Sequence, residues 1–132
     1  MTFAFTFPGQ GSQFVGMGKA LADAFPSARD VFDRVDAALD ENLSALMWDG
    51  PAEDLTLTAN TQPALMACGM AAMAALEEAH GITVADARFV AGHSLGEYTA
   101  LCAADALSLE DTARLLRIRG NAMQSAVPAG KG

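Results

Sequence analysis

The 132-residue sequence has the length of one domain or of part of a larger one, and about half of its residues are hydrophobic, which suffices for a packed core. Sixteen acidic and eight basic residues give a formal net charge of −8, which argues against binding to nucleic acid or to an anionic membrane. The chain does not open with a signal-peptide pattern, and its most apolar window, residues 63–76, is too short to span a bilayer.

The two cysteines, Cys68 and Cys102, lie in apolar helical stretches without the spacing of metal ligands. We therefore expect reduced structural thiols, no metal site and a cytoplasmic location.

The first part of the chain predicts a strand followed by helices. Phenylalanines alternate with smaller residues over 3–7, which is typical of a strand that ends at Pro8. Apolar residues within 14–25 have helical spacing. Residues 27–30 resemble a capping box and predict a second helix, with the apolar positions of 31–39 facing inward.

The middle of the chain predicts a long helix and a second strand. Residues 42–61 mix turn signals with short apolar pieces. Pro63 suits the first turn of a helix that ends near His80. Residues 88–91 predict a short buried strand, and residues 95–104 predict a helix.

Ser108 and Asp111 predict the capped start of a last helix that runs to about Ser125, and residues 127–132 predict a loop. Strands separated by helices indicate an α/β fold with a parallel sheet and flanking helices.

The glycine-rich turn after the first strand does not match a phosphate-binding loop. The dinucleotide pattern requires glycine where the chain has Phe14, and the P-loop pattern requires serine or threonine where it has Ala20. Two interpretations remain, a turn that permits close packing and a turn whose backbone N–H groups face a reacting centre. Gln10 lies between Gly9 and Gly11, which let a substrate approach the backbone.

A second turn has the pattern of a nucleophile elbow. Gly92, Ser94 and Gly96 form Gly-x-Ser-x-Gly between a predicted strand and a predicted helix. Ser94 is therefore the predicted nucleophile. The backbone N–H of Leu95 can point at a developing oxyanion, and the turn at Gln10 is suited to supply a second N–H.

Neither histidine is a convincing general base. The side chains of adjacent residues diverge in an elbow, so we interpret His93 as a substrate-side support of the site and not as the base for Ser94. His80 suits a solvated helix end.

Arg119 lies on the apolar stripe of the last helix. Its neighbours at three and four residues are Leu115, Leu116, Ala122 and Met123. A buried arginine needs an anion, because an unpaired buried charge costs on the order of several kcal/mol. Spacing alone leaves two interpretations about even, a structural salt bridge with an internal carboxylate such as Glu97 and a fork for a substrate carboxylate.

Four segments of the chain carry a family resemblance. They are Phe7–Gln13, Thr61–Leu65, Gly92–Tyr98, and Arg119-Gly120 with Met123-Gln124. In this order they resemble the malonyl-CoA:acyl carrier protein transacylases, the acyltransferase family of fatty acid and polyketide synthesis. The resemblance implies transfer of a malonyl group from coenzyme A, through an ester of Ser94, to the phosphopantetheine thiol of acyl carrier protein in fatty acid biosynthesis.

The resemblance also implies an oxyanion hole formed by the N–H groups of Gln10 and Leu95, and a malonyl carboxylate held by Arg119. Malonyl-CoA would be a substrate, and no cofactor is implied. The family's catalytic histidine and its small ferredoxin-like subdomain follow later in the sequence than residue 132. We therefore interpret residues 1–132 as the N-terminal part of an α/β-hydrolase-like large subdomain, inactive and poorly folded without the C-terminal part of the enzyme.

The alternatives are two other enzyme classes and a silent binding piece. A serine esterase or lipase shares the elbow but leaves Arg119 and the turn at Gln10 unexplained. A polyketide synthase-type acyltransferase module shares these residues, although Met1, two residues before the first strand, favours a free-standing enzyme.

Overall fold

The computed structural model describes residues 1–131, and Gly132, the last residue of the predicted terminal loop, lies outside them. The strands are β1 (Ala4–Phe7) and β2 (Phe89–Gly92). The helices are α1 (Lys19–Ala24), α2 (Pro26–Leu39), α3 (Leu43–Asp49), α4 (Ala52–Thr56), α5 (Thr58–His80), α6 (Leu95–Ala103) and α7 (Leu109–Ala126). A 3-10 turn at Val84–Asp86 precedes β2.

The two strands pair in parallel, with Ala4 opposite Phe89 and Phe7 opposite Gly92. The predicted parallel α/β sheet is therefore confirmed. Because the carboxyl ends of parallel strands meet at one edge, the register brings the turns that follow β1 and β2 together. The expectation that β2 is buried is wrong for the described residues, since the Phe89 side chain is 64% exposed.

The core lies where α5 packs against α2 and α7. Phe32, Met66 and Leu116 are almost completely buried there. The small residues of α5 allow close helix packing, as their number in the sequence predicts, and Ala67 and Ala71 are fully buried. No helix in the described part of the chain is long and apolar enough to cross a membrane.

The first helix begins later than its apolar spacing predicts. Gly16 and Gly18 have φ angles of 99° and 78°, which are left-handed and interrupt a right-handed helix. The segment before α1 is therefore a series of turns. Met17 is buried in this segment, whereas Phe14 is 64% exposed. The spacing of the apolar residues was misleading because it continued through two residues that adopt non-helical backbone conformations.

The capping box predicted at residues 27–30 is wrong. Helix α2 begins at Pro26, and the residue before it makes no side-chain capping bond. Proline suits the first position of a helix because its missing N–H would have no partner there. The Ser27 hydroxyl instead donates to the carbonyl of Ala74 and contacts the Glu78 carboxylate, so that it joins α2 to α5. The inward positions of α2 are confirmed for Val31 and Val35, which are buried, whereas Leu39 is only partly buried.

Helix α5 starts five residues before Pro63, so the prediction of its first turn is wrong, while its end at His80 is confirmed by the left-handed Gly81 cap. A proline inside a helix leaves the carbonyl four residues earlier without its N–H partner. That carbonyl belongs to Ala59, and it accepts a hydrogen bond from Nη1 of Arg117 on α7. A side chain from a distant helix thus replaces the missing backbone donor.

Cys68 and Cys102 are free thiols, as expected. Burial raises the pKa of both thiols, which keeps them protonated and poorly reactive.

Helix α7 has the predicted cap, since the Ser108 hydroxyl accepts a hydrogen bond from the Asp111 N–H at 3.1 Å.

We expect Ser108→Ala to lower the free energy of unfolding of the full-length protein by about 1 kcal/mol, because an N–H of the first turn of α7 loses its partner. Urea unfolding measures the change. Ser125→Ala, at an exposed position near the other end of α7, is the matched control. Equal effects of the two substitutions would contradict the capping role.

Candidate active site

The turn between β2 and α6 holds Ser94 in a strained backbone conformation. Its φ and ψ angles are 55° and −111°, which are rare for a residue with a side chain. A Cβ atom on Gly92 would overlap the carbonyl of Gly96, and a Cβ atom on Gly96 would overlap the carbonyl of Phe7. Both positions therefore require glycine, which is the steric reason for the Gly-x-Ser-x-Gly spacing.

The Ser94 hydroxyl is half-buried and accepts a hydrogen bond from Nη2 of Arg119 at 2.9 Å. His93 makes no hydrogen bond to this hydroxyl within residues 1–131, in keeping with the divergence expected in an elbow. Its backbone N–H donates to the carbonyl of Phe7, and a Cβ atom on Gly9 would lie 2.5 Å from its Nδ1 atom. The His93 ring thus packs against the glycine-rich turn.

The glycine-rich turn lies against the elbow at one edge of the sheet. The turn contributes the backbone N–H of Gln10 to this edge, and the elbow contributes that of Leu95. Leu95 is the first residue of α6, so its N–H has no acceptor within the helix. Neither this N–H nor that of Gln10 has a hydrogen-bond acceptor among the residues described by the structure. Both groups are therefore free to bind an oxyanion, the role predicted for them, which stays a prediction.

Arg119 contacts neutral groups. Its Nη1 donates to Oε1 of Gln62 at 2.5 Å, and its guanidinium carbon lies 5.5 Å from the centre of the Tyr98 ring. Within residues 1–131 no carboxylate approaches it to within 4.0 Å. Arg119 therefore forms no salt bridge with Glu97 among the described residues, and that interpretation is wrong for them. The positive charge of Arg119 thus has no anionic partner among residues 1–131.

The other arginine of this turn of α7 behaves differently. Arg117 Nη2 forms an ion pair with the Glu41 carboxylate at 2.5 Å, and its Nη1 also donates to the Asn60 side chain at 2.9 Å. Its charge is thus balanced.

Sequence reasoning missed Gln62, which is 1% exposed. Besides accepting from Arg119, it donates from Nε2 to Oε1 of Gln10 at 3.5 Å, and Gln10 donates to Oγ1 of Thr58 at 3.0 Å. A polar chain therefore runs from Thr58 to Ser94. The available signal was an amide directly before the most apolar window of the sequence, residues 63–76, within one of the four segments that carry the family resemblance.

A cavity of about 390 Å³ opens beside this polar chain. Gln10, Thr58 and Met123 line it together with the segment after α7. A larger cavity of about 540 Å³, lined in part by Arg34, contains none of the residues around Ser94. Of these two cavities only the smaller one is lined by residues of the polar chain, Gln10 and Thr58, and neither is lined by Ser94 or Arg119.

A parallel sheet whose strand–turn–helix presents a serine beside free N–H groups defines an α/β protein of the nucleophile-elbow class. The chain belongs to the acyl transferase domain family, whose model matches residues 4–132.

Named relatives and solved structures agree with this membership. The chain is 53% identical over 129 residues to the malonyl CoA-acyl carrier protein transacylase of Bacillus subtilis strain 168, covering 98% of this chain and 39% of that protein. It is 63% identical to the solved acyl-carrier-protein-S-malonyltransferase of Bartonella henselae, with a TM-score of 0.92, covering 96% of this chain and 40% of that one. A solved complex of a type II PKS acyl-carrier protein with its malonyl-transacylase gives 43% identity and a TM-score of 0.89, covering 98% of this chain and 41% of the matched chain. The chain thus spans about two fifths of the length of these relatives, which confirms the resemblance over that part and the α/β fold.

Proposed function

We propose that the protein to which this chain belongs transfers a malonyl group from coenzyme A to acyl carrier protein in fatty acid biosynthesis. The observation that carries the proposal is an arginine without a carboxylate partner in the described residues, 2.9 Å from the serine of an elbow. A malonyl group ends in a free carboxylate, and a guanidinium binds carboxylates in two parallel hydrogen bonds. Arg119 next to Ser94 therefore suits an acyl group that carries its own anion. The relatives named as malonyl transacylases support the same conclusion.

The proposed reaction has two transfers at one oxygen atom. Ser94 Oγ attacks the thioester carbonyl of malonyl-CoA, its proton passes to a base, and the coenzyme A thiol leaves as the ester forms. The phosphopantetheine thiol then attacks this ester, and Ser94 recovers its proton. The N–H groups of Gln10 and Leu95 would stabilise the negative oxygen of each tetrahedral intermediate.

The base belongs to the part of the enzyme outside this chain. No histidine contacts the Ser94 hydroxyl among residues 1–131. The family resemblance supplies a histidine from the C-terminal part, so residues 1–132 would be the N-terminal part of the large subdomain and would need that partner segment. In this proposal malonyl-CoA and acyl carrier protein are the substrates, no cofactor takes part, and the protein is cytoplasmic.

A polyketide-type acyltransferase is a second candidate, because one similar structure is a malonyl-transacylase bound to a type II PKS acyl-carrier protein. The chemistry at Ser94 is the same in both candidates. The difference lies only in which carrier protein presents the thiol. A serine esterase is less suitable, since hydrolysis of an uncharged ester gives Arg119 no anion to bind.

We expect the full-length protein to convert malonyl-CoA and holo-acyl carrier protein into malonyl-acyl carrier protein, with acetyl-CoA a poorer donor. Mass spectrometry of the carrier protein measures transfer, and release of free malonate measures hydrolysis. The isolated 132-residue chain, expected to be inactive, is the control. Faster hydrolysis than transfer would favour the esterase, and turnover by the isolated chain would contradict the need for the remaining segment.

A further inference from the structure

The amide of Gln62 connects the two groups that the proposed function assigns to substrate binding. We propose that Gln62 is a positioning residue, which fixes the Arg119 guanidinium for the acyl carboxylate and ties it to the turn at Gln10. The inference rests on the function proposed above. It adds a residue of α5 that decides how well the site distinguishes a carboxylated acyl group from an uncharged one.

A neutral acceptor can orient an arginine without cancelling its charge. Gln62 Oε1 receives Nη1 of Arg119 at 2.5 Å, and the second arm of the guanidinium reaches Ser94 at 2.9 Å. A carboxylate in place of the amide would form an ion pair with Arg119 and compete with the substrate carboxylate. An apolar side chain would leave the guanidinium without a fixed orientation, and a fork must be aligned to bind both carboxylate oxygens.

The orientation of the Gln62 amide is itself determined by its two partners. Its oxygen faces a cation and its nitrogen faces Oε1 of Gln10 at 3.5 Å. Rotation of the amide by half a turn would place N–H groups against the guanidinium and an oxygen against another oxygen. Because Gln62 is 1% exposed, water cannot satisfy these groups in the wrong orientation. The amide therefore holds Arg119 and the Gln10 turn in one arrangement.

Helix α5 is suited to this task because α7 is anchored to it at two points. Arg117 bonds the Ala59 carbonyl that Pro63 leaves without a donor, and Arg119 bonds Gln62 one turn further along. The backbone of α7 also approaches closely at Gly120, where a Cβ atom would lie 2.9 Å from the Ala59 Cα. The position of Gln62 relative to Arg119 is thus determined by the packing of the two helices.

The test compares Gln62→Met and Gln62→Glu in the full-length protein. Methionine is similar in size but has no strong acceptor, so malonyl transfer efficiency should fall about 10-fold as Arg119 loses a charge-assisted hydrogen bond. Glutamate keeps the size and the acceptor but adds a competing anion. It should therefore lower malonyl efficiency further. Acetyl transfer should fall less than malonyl transfer in both variants, because an acetyl group has no carboxylate to position and is affected only by the lost contact between Gln62 and the Gln10 turn.

A residue that only supported the fold would give a different pattern. Glutamate, the closer mimic in shape, would then be milder than methionine, and malonyl and acetyl efficiencies would fall together. Thr61→Val is the matched control. Thr61 is fully buried next to Gln62, and its hydroxyl bonds the Leu55 carbonyl at 2.6 Å, so its loss should lower stability and leave the malonyl-to-acetyl ratio unchanged.

Efficiencies are measured per folded enzyme, and KM and kcat are separated for both donors. A lowered ratio in both Gln62 variants, with glutamate the more severe, supports the positioning role. An unchanged ratio, or glutamate milder than methionine, overturns it. Arg119→Ala measured alongside separates the two proposals. If Arg119→Ala lowers the malonyl-to-acetyl ratio while the Gln62 variants leave it unchanged, only the role of Gln62 is wrong. If Arg119→Ala leaves the ratio unchanged, the carboxylate site is wrong and the role of Gln62 is wrong with it.

Discussion

Ser94→Ala in the full-length protein is expected to lower malonyl transfer by roughly 10⁴- to 10⁶-fold, the range seen when a catalytic nucleophile is removed. The reason is the loss of the oxygen that would carry the acyl group between two thiols. The binding of malonyl-CoA to the enzyme should change little. The Ser94 hydroxyl makes one hydrogen bond among the described residues, to Arg119, and it is not part of the packed core.

The measurement is the mass of the peptide that contains Ser94 after brief mixing with malonyl-CoA. The unsubstituted enzyme should carry one malonyl group on this peptide, and Ser94→Ala none. Ser125→Ala removes an exposed serine of α7 and should keep full labelling. Persistent labelling of the Ser94→Ala enzyme would show that another residue is the nucleophile.

The elbow could be predicted from the sequence because its requirements are local. The strand before it, the helix after it and the glycines at 92 and 96 lie within a short segment, and the steric need for those glycines arises from the turn itself and from β1 beside it. The cap of α7 at Ser108 was predictable for the same reason, since both its partners are three residues apart.

The start of α5 could not be predicted in this way. Proline usually stands at a helix start because the helix interior leaves one carbonyl without a donor. Here that carbonyl is bonded by Arg117, which is 58 residues away in the sequence. Likewise Ser27 has the local pattern of a cap, but its hydroxyl bonds α5. In both cases a contact between distant segments changed the outcome of a local rule.

The candidate site shows the same division. Ser94, Leu95 and the turn at Gln10 follow from motifs next to strand ends. The proposed role of Gln62 does not follow from a local motif, because it depends on the packing of α7, which places Arg119 against α5. The two interpretations of Arg119 were equal from spacing alone, since the sequence does not tell which side chains surround the guanidinium. Its neutral partners in the structure favour the carboxylate fork, whose role in binding substrate is a prediction.

Arg119→Ala is expected to lower malonyl transfer efficiency by roughly 30- to 5,000-fold, which corresponds to the loss of one partner of a desolvated charged pair. Acetyl-CoA has no carboxylate to bind, so acetyl transfer should fall much less or rise. Arg119→Lys keeps the charge but loses the planar fork, and we expect an intermediate loss with malonyl-CoA. The informative quantity is the ratio of malonyl to acetyl efficiency in each enzyme.

Arg117→Ala is the matched control for this ratio. It removes an arginine two residues away on the same helix, whose charge is balanced by Glu41 and whose second arm bonds the Ala59 carbonyl. The loss of these bonds should lower stability and reduce both efficiencies by a similar factor, leaving the ratio near that of the unsubstituted enzyme. A fall in the ratio confined to Arg119 would show that the guanidinium recognises the acyl carboxylate. If Arg119→Ala instead reduces both efficiencies equally, as Arg117→Ala should, Arg119 serves the structure and malonyl selection must arise elsewhere.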